Sequence, residues 1–527
     1  MPLNEQQSAA LAHCLRDDSP SANLIARAGT GKTYTVLAIS GELKGSTFLG
    51  AFTRPIADEL IKRLPRRPGL DANTLHSAAL SAWRGEFRNR VSSIEIDGRK
   101  VYGIARQTWA KFDHKVCMAA AQLISFAKQG GLGIRAPYED VEEWEKIIEH
   151  YDLEETIPDS KMMKRKVFLE CCVETYEKSL LQCIGRGSPK GASVVDYDDM
   201  LLAPLYYKVP FAPRRWVLLD EAQDTNDMRR EVAFRMIGHG RWGRLLAVGD
   251  PKQSIFGFAG ATNNAMAVIQ EQLGCVELPL NVTYRCPQRV VELVQELVPD
   301  FTAHPDNIEG EIRTIGHEDF FLEHFDPITD VILCRFTRPL AGIAGVLRDR
   351  GLKCRVEGQS GKSYLSLVTK WGDVKLKIFR ELLDDYEEEK LREYTAADQD
   401  SKAASLRDRC GTIRAMMHGL GETKTTRDLA RVIEFTFRDD DDNEGPQDYL
   451  RLATIHRAKG REWERVFIIG MNRYMPSKYA RADWEHEQEE NLIYVAESRT
   501  KRELVFVDVP EEEPGNSDWW EDEEDRY

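Results

Sequence analysis

Short, almost wholly apolar runs recur along the chain, at Asn23–Ala26, Thr47–Phe52, Trp216–Leu219, Leu245–Val248, Val331–Cys334, Leu450–Ile455, Val466–Ile469 and Leu504–Val507. Each is followed by a polar turn and then a helical pattern. Runs this short and this apolar suit strands buried on both faces of a parallel sheet. Their alternation with helices predicts doubly wound α/β units. Two regions break the rhythm. From about residue 80 to about 210 the pattern is mainly helical, as in Glu139–Tyr151 and Met162–Ile184, which predicts a subdomain inserted between two groups of parallel strands. Residues 365–445 are charged and helical, with many i,i+4 charge pairs, and read as a solvated helical arm with a loop at Asp439–Asp442.

Composition narrows this picture. The 527 residues are too many for one compact unit and predict three to five packing units. With 42% apolar and 30% charged residues the chain is not disordered throughout. No apolar run approaches the ~20 residues that cross a bilayer, and MPLNEQQSAA is not a signal peptide. The expected location is therefore cytoplasmic in a bacterium or phage-infected host, or nuclear in a eukaryote. None of the ten cysteines forms a C-x-x-C pair, so reduced thiols are expected rather than zinc or iron–sulfur ligands. The net charge of −15 is uneven: residues 511–527 carry nine acids and one arginine, leaving −7 for the rest. That tail, with Trp519 and Trp520, reads as disordered or as a dock for a basic protein partner. An acidic average does not exclude a nucleic-acid groove, which is a local property.

Two motifs carry candidate chemistry. Ala26-Arg27-Ala28-Gly29-Thr30-Gly31-Lys32-Thr33 follows a predicted strand and opens a predicted helix. Backbone amides at such a helix start cradle phosphates, and the glycines let the anion approach. Lys32 would pair with the β- and γ-phosphates and Thr33 would hold Mg²⁺. Trp216-Val-Leu-Leu-Asp220-Glu221-Ala-Gln-Asp224 places a carboxylate at the end of an apolar strand. Asp220 is the metal candidate, and Glu221 the candidate acceptor for the proton of an attacking water.

The order and spacing of these motifs resemble the superfamily 1 DNA helicases of the UvrD/Rep type, and within them the branch that includes the F-box DNA helicases and phage-encoded relatives. The likeness runs from Leu3 to about Val507 and is weak in the two helical regions. It implies two RecA-like P-loop domains, parallel sheets flanked by helices, with two mainly helical inserted subdomains. The first core is then 1–79 with 196–278, the first insertion 80–195, the second core 279–364 with 446–510, the arm 365–445, and the tail 511–527. Leu3-Asn-Glu-Gln-Gln7 resembles the adenine-reading motif, with Gln7 as base contact. Phe52-Thr53-Arg54 and Thr74-Leu-His76-Ser77 resemble motifs facing single-stranded DNA. Gly249–Ala261 resembles motif III, with Gln253 sensing the γ-phosphate and Phe256 and Phe258 near bases; Ala259 stands where the family usually has Arg. Asn281-Val-Thr-Tyr284-Arg285 resembles motif IV, with Tyr284 on adenine and Arg285 on the γ-phosphate. Leu452–Trp463 resembles motif V, with Thr454, His456 and Lys459 on DNA phosphates and Glu462 on the nucleotide or its coupling network. Glu490–Arg499 resembles motif VI, with Arg499 as arginine finger, although Glu497 and Ser498 depart from the usual pattern.

The resemblance implies an ATP- and Mg²⁺-dependent enzyme that moves 3′→5′ along single-stranded DNA and unwinds duplex at single/double-strand junctions. A rival keeps the DNA-stimulated ATPase but makes it a switch or a displacer of proteins with little unwinding, to which Ala259 lends weight. A small-molecule P-loop kinase is disfavoured by the motif III and V matches, and a helicase–nuclease by the lack of a further acidic cluster. Ile61-Lys-Arg-Leu-Pro-Arg-Arg67 is basic enough to meet phosphates and equally suits a solvated helix end. Oligomeric state and biological pathway are not encoded in any motif.

Overall fold

A computed structural model of the chain describes residues 2–109, 114–151, 153, 157, 158, 163–257, 264–357, 361–396, 400–417, 420, 421, 423–437, 449–477, 480 and 483–510. Phe258, Ala259, the Asp439–Asp442 run and the acidic tail lie outside the described residues. The chain forms two compact units, Met1–Asn281 and the remainder from Val282 onward.

The strands of the first unit are β1 (Ala22–Ala26), β2 (Thr47–Ala51), β3 (Leu70–Thr74), β4 (Ile94–Ile96), β5 (Ser193–Val195), β6 (Trp216–Leu219), β7 (Arg244–Gly249) and β8 (Val276–Leu280). Six of them make one sheet in the order β3-β2-β6-β7-β1-β8, with every pairing parallel. Side chains alternate across a strand, and here both sets are apolar. Phe48, Val217, Leu219, Leu245 and Ala247 pack on one face with Leu123, Ile124 and Val232. Leu24, Leu49, Leu218, Leu246 and Val248 pack on the other with Val36, Ile39 and Leu60. The region read as an insertion therefore covers one face of the sheet. It also contains the parallel β4–β5 pair besides its helices, which are Lys100–Thr108, His114–Gln129, Val141–His150 and Arg165–Cys183.

That covering layer is fixed by buried charge. Lys128 Nζ lies 2.6 Å from Asp196 Oδ2 and 2.7 Å from Asp199 Oδ1, and Lys100 Nζ lies 2.6 Å from Asp199 Oδ2. All four residues are buried. Burial by itself would push the Asp199 carboxyl up, but Lys100 and Lys128 overrule it and hold it below the usual carboxylate range. Asp198 beside them is pushed up to about 7 by burial and by Asp196. Arg67, from the basic cluster, is spent on structure: its guanidinium donates to Gly45 O at 2.8 Å and to Thr47 Oγ1 at 2.7 Å, fixing the turn into β2.

The second unit contains β9 (Val282–Thr283), β10 (Thr302–Ala303), β11 (Glu311–Gly316), β12 (Asp330–Cys334), β13 (Cys354–Glu357), β14 (Leu450–Thr454), β15 (Trp463–Ile469) and β16 (Thr500–Asp508). Its sheet runs β11-β16-β15-β12-β14-β13, again parallel throughout. Ile332, Cys334, Leu452, Phe467 and Val505 share a cluster with Leu383, Leu406, Ile413, Met416 and Ile433. The helices Leu376–Ala396, Asp400–Met417 and Thr426–Thr436 thus bury their apolar side on this unit's core, so the arm is solvated on one side only. Its exposed side carries the expected ion pairs, such as Arg392–Glu388. Among the described residues no helix is long and apolar enough to cross a membrane.

Removing Lys128 would strip buried Asp196 of its ion-pair partner and leave Asp199 with Lys100 alone. Lys128→Ala is expected to lose about 3–5 kcal/mol of stability, read from a urea titration of the circular-dichroism signal. A loss below 1 kcal/mol would contradict a lock built on that ammonium.

Candidate nucleotide and nucleic-acid sites

In the first unit the loop after β1 turns sharply into the helix Lys32–Glu42, with Gly29 at φ +71° and Gly31 at φ +76°. L-residues with a Cβ rarely adopt that conformation, and a Cβ on Gly31 would also lie 3.1 Å from Gln7 Nε2. The loop is tied to β8 by Arg27 N–H donating to Leu280 O at 2.9 Å. It is tied to the helix Glu5–Leu15 by Gln7 Nε2 donating to Thr30 O at 3.2 Å. Gln7 is buried, and its Oε1 accepts from Asn4 N–H at 3.0 Å in a capping box. Its amide is a strut between the first helix and the loop, and an adenine contact would have to share it.

Lys32 opens the helix at the C-terminal end of the sheet, where ligands bind in open α/β folds. Its ammonium bonds to the Glu221 carboxylate and lies 3.7 Å from Asp220 Oδ1. Burial favours the neutral amine, but Glu221 and then Asp220 overrule it, so Lys32 stays protonated above the ordinary lysine range. Asp220 is pushed up by burial, with Lys32 opposing and Glu221 adding to the shift. Glu221 has φ +51°, a left-handed backbone in a non-glycine residue at a strand end.

The carboxylates continue into a network that motif reading did not assign. Gln223 Nε2 donates to Glu221 Oε2 at 2.6 Å, and Gln223 Oε1 accepts from Asp250 N–H at 3.1 Å. Asp250, fully buried at the end of β7, receives Arg27 Nη1 at 2.9 Å and Gln253 Nε2 at 2.8 Å. Gly249 makes room for it: a Cβ there would sit 2.2 Å from Gln223 Oε1. The rule that picked Asp220, a carboxylate leaving an apolar strand, applies equally to Asp250 and was the available signal. Lys32, Asp220, Glu221, Arg27 and Gln253 are thus brought together, with Gln223 and Asp250 as connectors. Thr33 occupies the first turn of the same helix.

Toward the edge of this sheet, Phe52 and Phe256 stack with ring centroids 6.3 Å apart at 14°. The Arg229 guanidinium lies 4.4 Å from the Phe52 centroid. Thr53 precedes the helix Arg54–Arg63 without a side-chain capping bond, and Arg54 is exposed, paired with Asp58 at 3.0 Å. His76 is pulled down to about 4 by burial and by Arg229.

The second unit gathers another set. Arg285 Nε donates to Glu462 Oε2 at 2.5 Å, and Lys501 Nζ lies 2.9 Å from Glu462 Oε1. Burial pushes the Glu462 carboxyl up, but Arg285 and Lys501 overrule it and leave it below its usual range. Arg285 Nη1 also donates to Ser498 O at 3.4 Å. Motifs IV, V and VI therefore meet here. Arg499 is 1% exposed, donating to Val495 O at 2.8 Å and to Ser498 Oγ at 2.9 Å. Glu497 is buried and pushed up to about 8 by burial and by Glu296, which favours the uncharged carboxyl at neutral pH. Tyr284 is 41% exposed, its ring backed by His304 at 4.8 Å. His456 is pulled down to about 3 by burial, Arg335 and Lys459. Thr454 stands at the N-terminal boundary of the short helix that carries His456, with no side-chain capping bond, and Lys459 ends it.

Among the described residues no group of three or more His, Cys, Asp or Glu side chains is placed to hold a metal. A cation here would take few protein oxygens, as Mg²⁺ does when phosphates and water complete its shell. Hard oxygen donors beside a glycine-turned helix start fit Mg²⁺ with a nucleotide triphosphate.

Similarity to known proteins agrees with this geometry. The chain is 24% identical to F-box DNA helicase protein 1 of Schizosaccharomyces pombe, over 66% of this chain and 40% of that protein. It is 20% identical to the ATP-dependent DNA helicase Rep of Salmonella typhimurium, over 60% of this chain and 64% of Rep. It is 23% identical to the ATP-dependent DNA helicase UvrD2 of Mycobacterium bovis, over 93% of this chain and 77% of UvrD2. The chain thus spans less than two thirds of the first two. The model of the UvrD-like helicase C-terminal domain matches residues 88–509. A match over that much of the chain, on two parallel sheets carrying the motif residues at their strand ends, places it in the UvrD-like helicase family.

Proposed function

We propose that the protein is an ATP-dependent, 3′→5′ single-stranded DNA translocase that unwinds duplex from single/double-strand junctions. The observation that carries the reading is the bond of Lys32 to Glu221 beside Asp220, at the end of a sheet whose neighbouring strand end carries the Phe52–Phe256 stack. Without phosphates, Lys32 neutralises Glu221. With a triphosphate in the loop, the ammonium has a stronger anion to face, and Glu221 is released to take the proton of an attacking water. Gln223 keeps the freed carboxylate in place through Oε2. Asp220 and Thr33 would hold Mg²⁺, which neutralises charge on the transferring phosphoryl group. Gln253, anchored on Asp250, would report the state of the γ-phosphate to the same loop.

From the second unit, Arg285 and Arg499 are proposed to supply positive charge to the phosphates and Tyr284 a face for adenine. Arg285 would exchange Glu462, and Arg499 its internal acceptors, for phosphate oxygens. Thr454, His456, Lys459, Phe52, Thr53, Arg54, His76 and Phe256 are proposed as strand contacts. Aromatic faces grip any base for about 1–3 kcal/mol without reading sequence.

A strand-displacement assay with 3′- and 5′-tailed duplexes tests the function. ATP-dependent release from the 3′-tailed substrate is expected. Strand-stimulated turnover with no displacement would favour a switch instead. Lys32→Ala should lower kcat for ATP by roughly 10²–10³, measured by phosphate release, while the thermal melt keeps a cooperative transition. With folded-state values of about 4 and about 3, His76 and His456 are neutral above pH 5.5. They would contact the strand by hydrogen bonds, not charge. The slope of log affinity for oligo-dT against log salt is therefore expected to show no histidine charge gained between pH 8 and pH 6. A slope steeper by about two charges at pH 6 would contradict it.

A further inference from the structure

We propose that Arg229 is a positioning residue: it holds the Phe52 ring in register with Phe256 and ties that aromatic pair to the carboxylate-bearing segment Asp220–Asp224. The proposal rests on the reading of Phe52 as a base-stacking residue, and four observations converge on it.

First, the guanidinium lies 4.4 Å from the Phe52 centroid, the same ring that stacks on Phe256 at 14°. A phenylalanine at a strand end has freedom to turn, and a planar cation beside it selects one orientation. Second, Arg229 is rooted in the chemistry-bearing segment. Its backbone N–H donates to the N-cap Asn226 at 2.9 Å, and its Nη1 reaches Asp224 O at 3.5 Å. Third, the strands concerned are neighbours. β2, which leads to Phe52, pairs with β6, which leads to Asp220, and Asp220 N–H donates to Gly50 O at 3.0 Å. Fourth, Phe52, His76, Asp220, Thr225 and Arg229 line one small cavity. A displacement of the Asp220–Asp224 turn, where Lys32 exchanges carboxylate for phosphate, therefore has a short path to the stacking ring. Arg229 is half-buried, and a guanidinium partly stripped of water interacts more strongly with a ring face than an exposed one.

A direct salt link from Arg229 to a DNA phosphate would give a different signature, so the test separates the two. The full-length chain is titrated with fluorescent oligo-dT at several salt concentrations, as parent, Arg229→Met, Arg229→Lys, Phe52→Ala and the double variant Phe52→Ala/Arg229→Met. Positioning predicts that Arg229→Met weakens binding by roughly 2- to 30-fold with the salt slope unchanged. Arg229→Lys, which keeps charge without the planar fork, restores part of the loss. In the Phe52→Ala background the methionine change adds little. Arg229→Lys carries the test if the methionine variant fails to fold, and its affinity must then still fall below the parent's. Parent-like affinity in the variants overturns the proposal. So does a salt slope reduced by about one charge, or losses that multiply in the double variant. A parent chain that does not bind oligo-dT overturns the strand-binding reading itself. A parent that binds, with variants that match it, removes only the role of Arg229.

Discussion

The first unit depends on one ammonium among carboxylates. Asp220 and Glu221 stand together at the end of a buried strand, and two negative charges in such a place are costly unless a cation answers them. Lys32 does so from the first turn of the phosphate-loop helix. The same contact joins the glycine-turned loop to the end of β6. In the proposed function, structure and chemistry are coupled through a single competition, carboxylate against phosphate, for one lysine. Glu221 keeps a left-handed backbone at that point, a conformation the surroundings must hold.

Around that contact the charges form a chain. Glu221 leads through Gln223 to Asp250, and Asp250 to Arg27 and Gln253. The ends of β1, β6 and β7 are thus joined by side chains as well as by sheet hydrogen bonds. In the second unit Glu462 plays the mirrored part, one carboxylate shared by Arg285 and Lys501. The buried lysine–aspartate cluster under the first sheet is a different device. It fixes the covering helices, and its ion pairs involve none of the loop residues Ala26–Thr33.

The strands buried on both faces were legible in the sequence because burial leaves a continuous apolar run, as in Trp216–Leu219 and Val466–Ile469. Three of the edge strands were not. Leu70–Thr74, Val276–Leu280 and Glu311–Gly316 expose one side and carry Asp, Asn, Glu or Arg, so their runs are broken. The phosphate loop and the Asp220–Glu221 pair were legible because their chemistry is local in sequence. Gln223 and Arg229 were not, because each matters through a partner brought to it by strand order, whereas Asp250 carried the same strand-end signal as Asp220 but not the identity of its partners. Gln7 shows the converse: a motif match located it, but only the fold reveals that its amide is spent on Asn4 and Thr30. The charge pattern of the arm likewise hid its buried side, since Leu383, Leu406 and Ile413 are scattered among acids and bases.

The central claim is that occupancy of the phosphate loop and grip on a single strand are energetically linked. The direct measurement is the affinity of the chain for oligo-dT with and without a non-hydrolysable ATP analogue, paired with the analogue's affinity with and without oligo-dT. Linkage requires the two ratios to be equal and different from one, and about 5–150-fold is the usual range. Ratios of one in both directions would contradict the account.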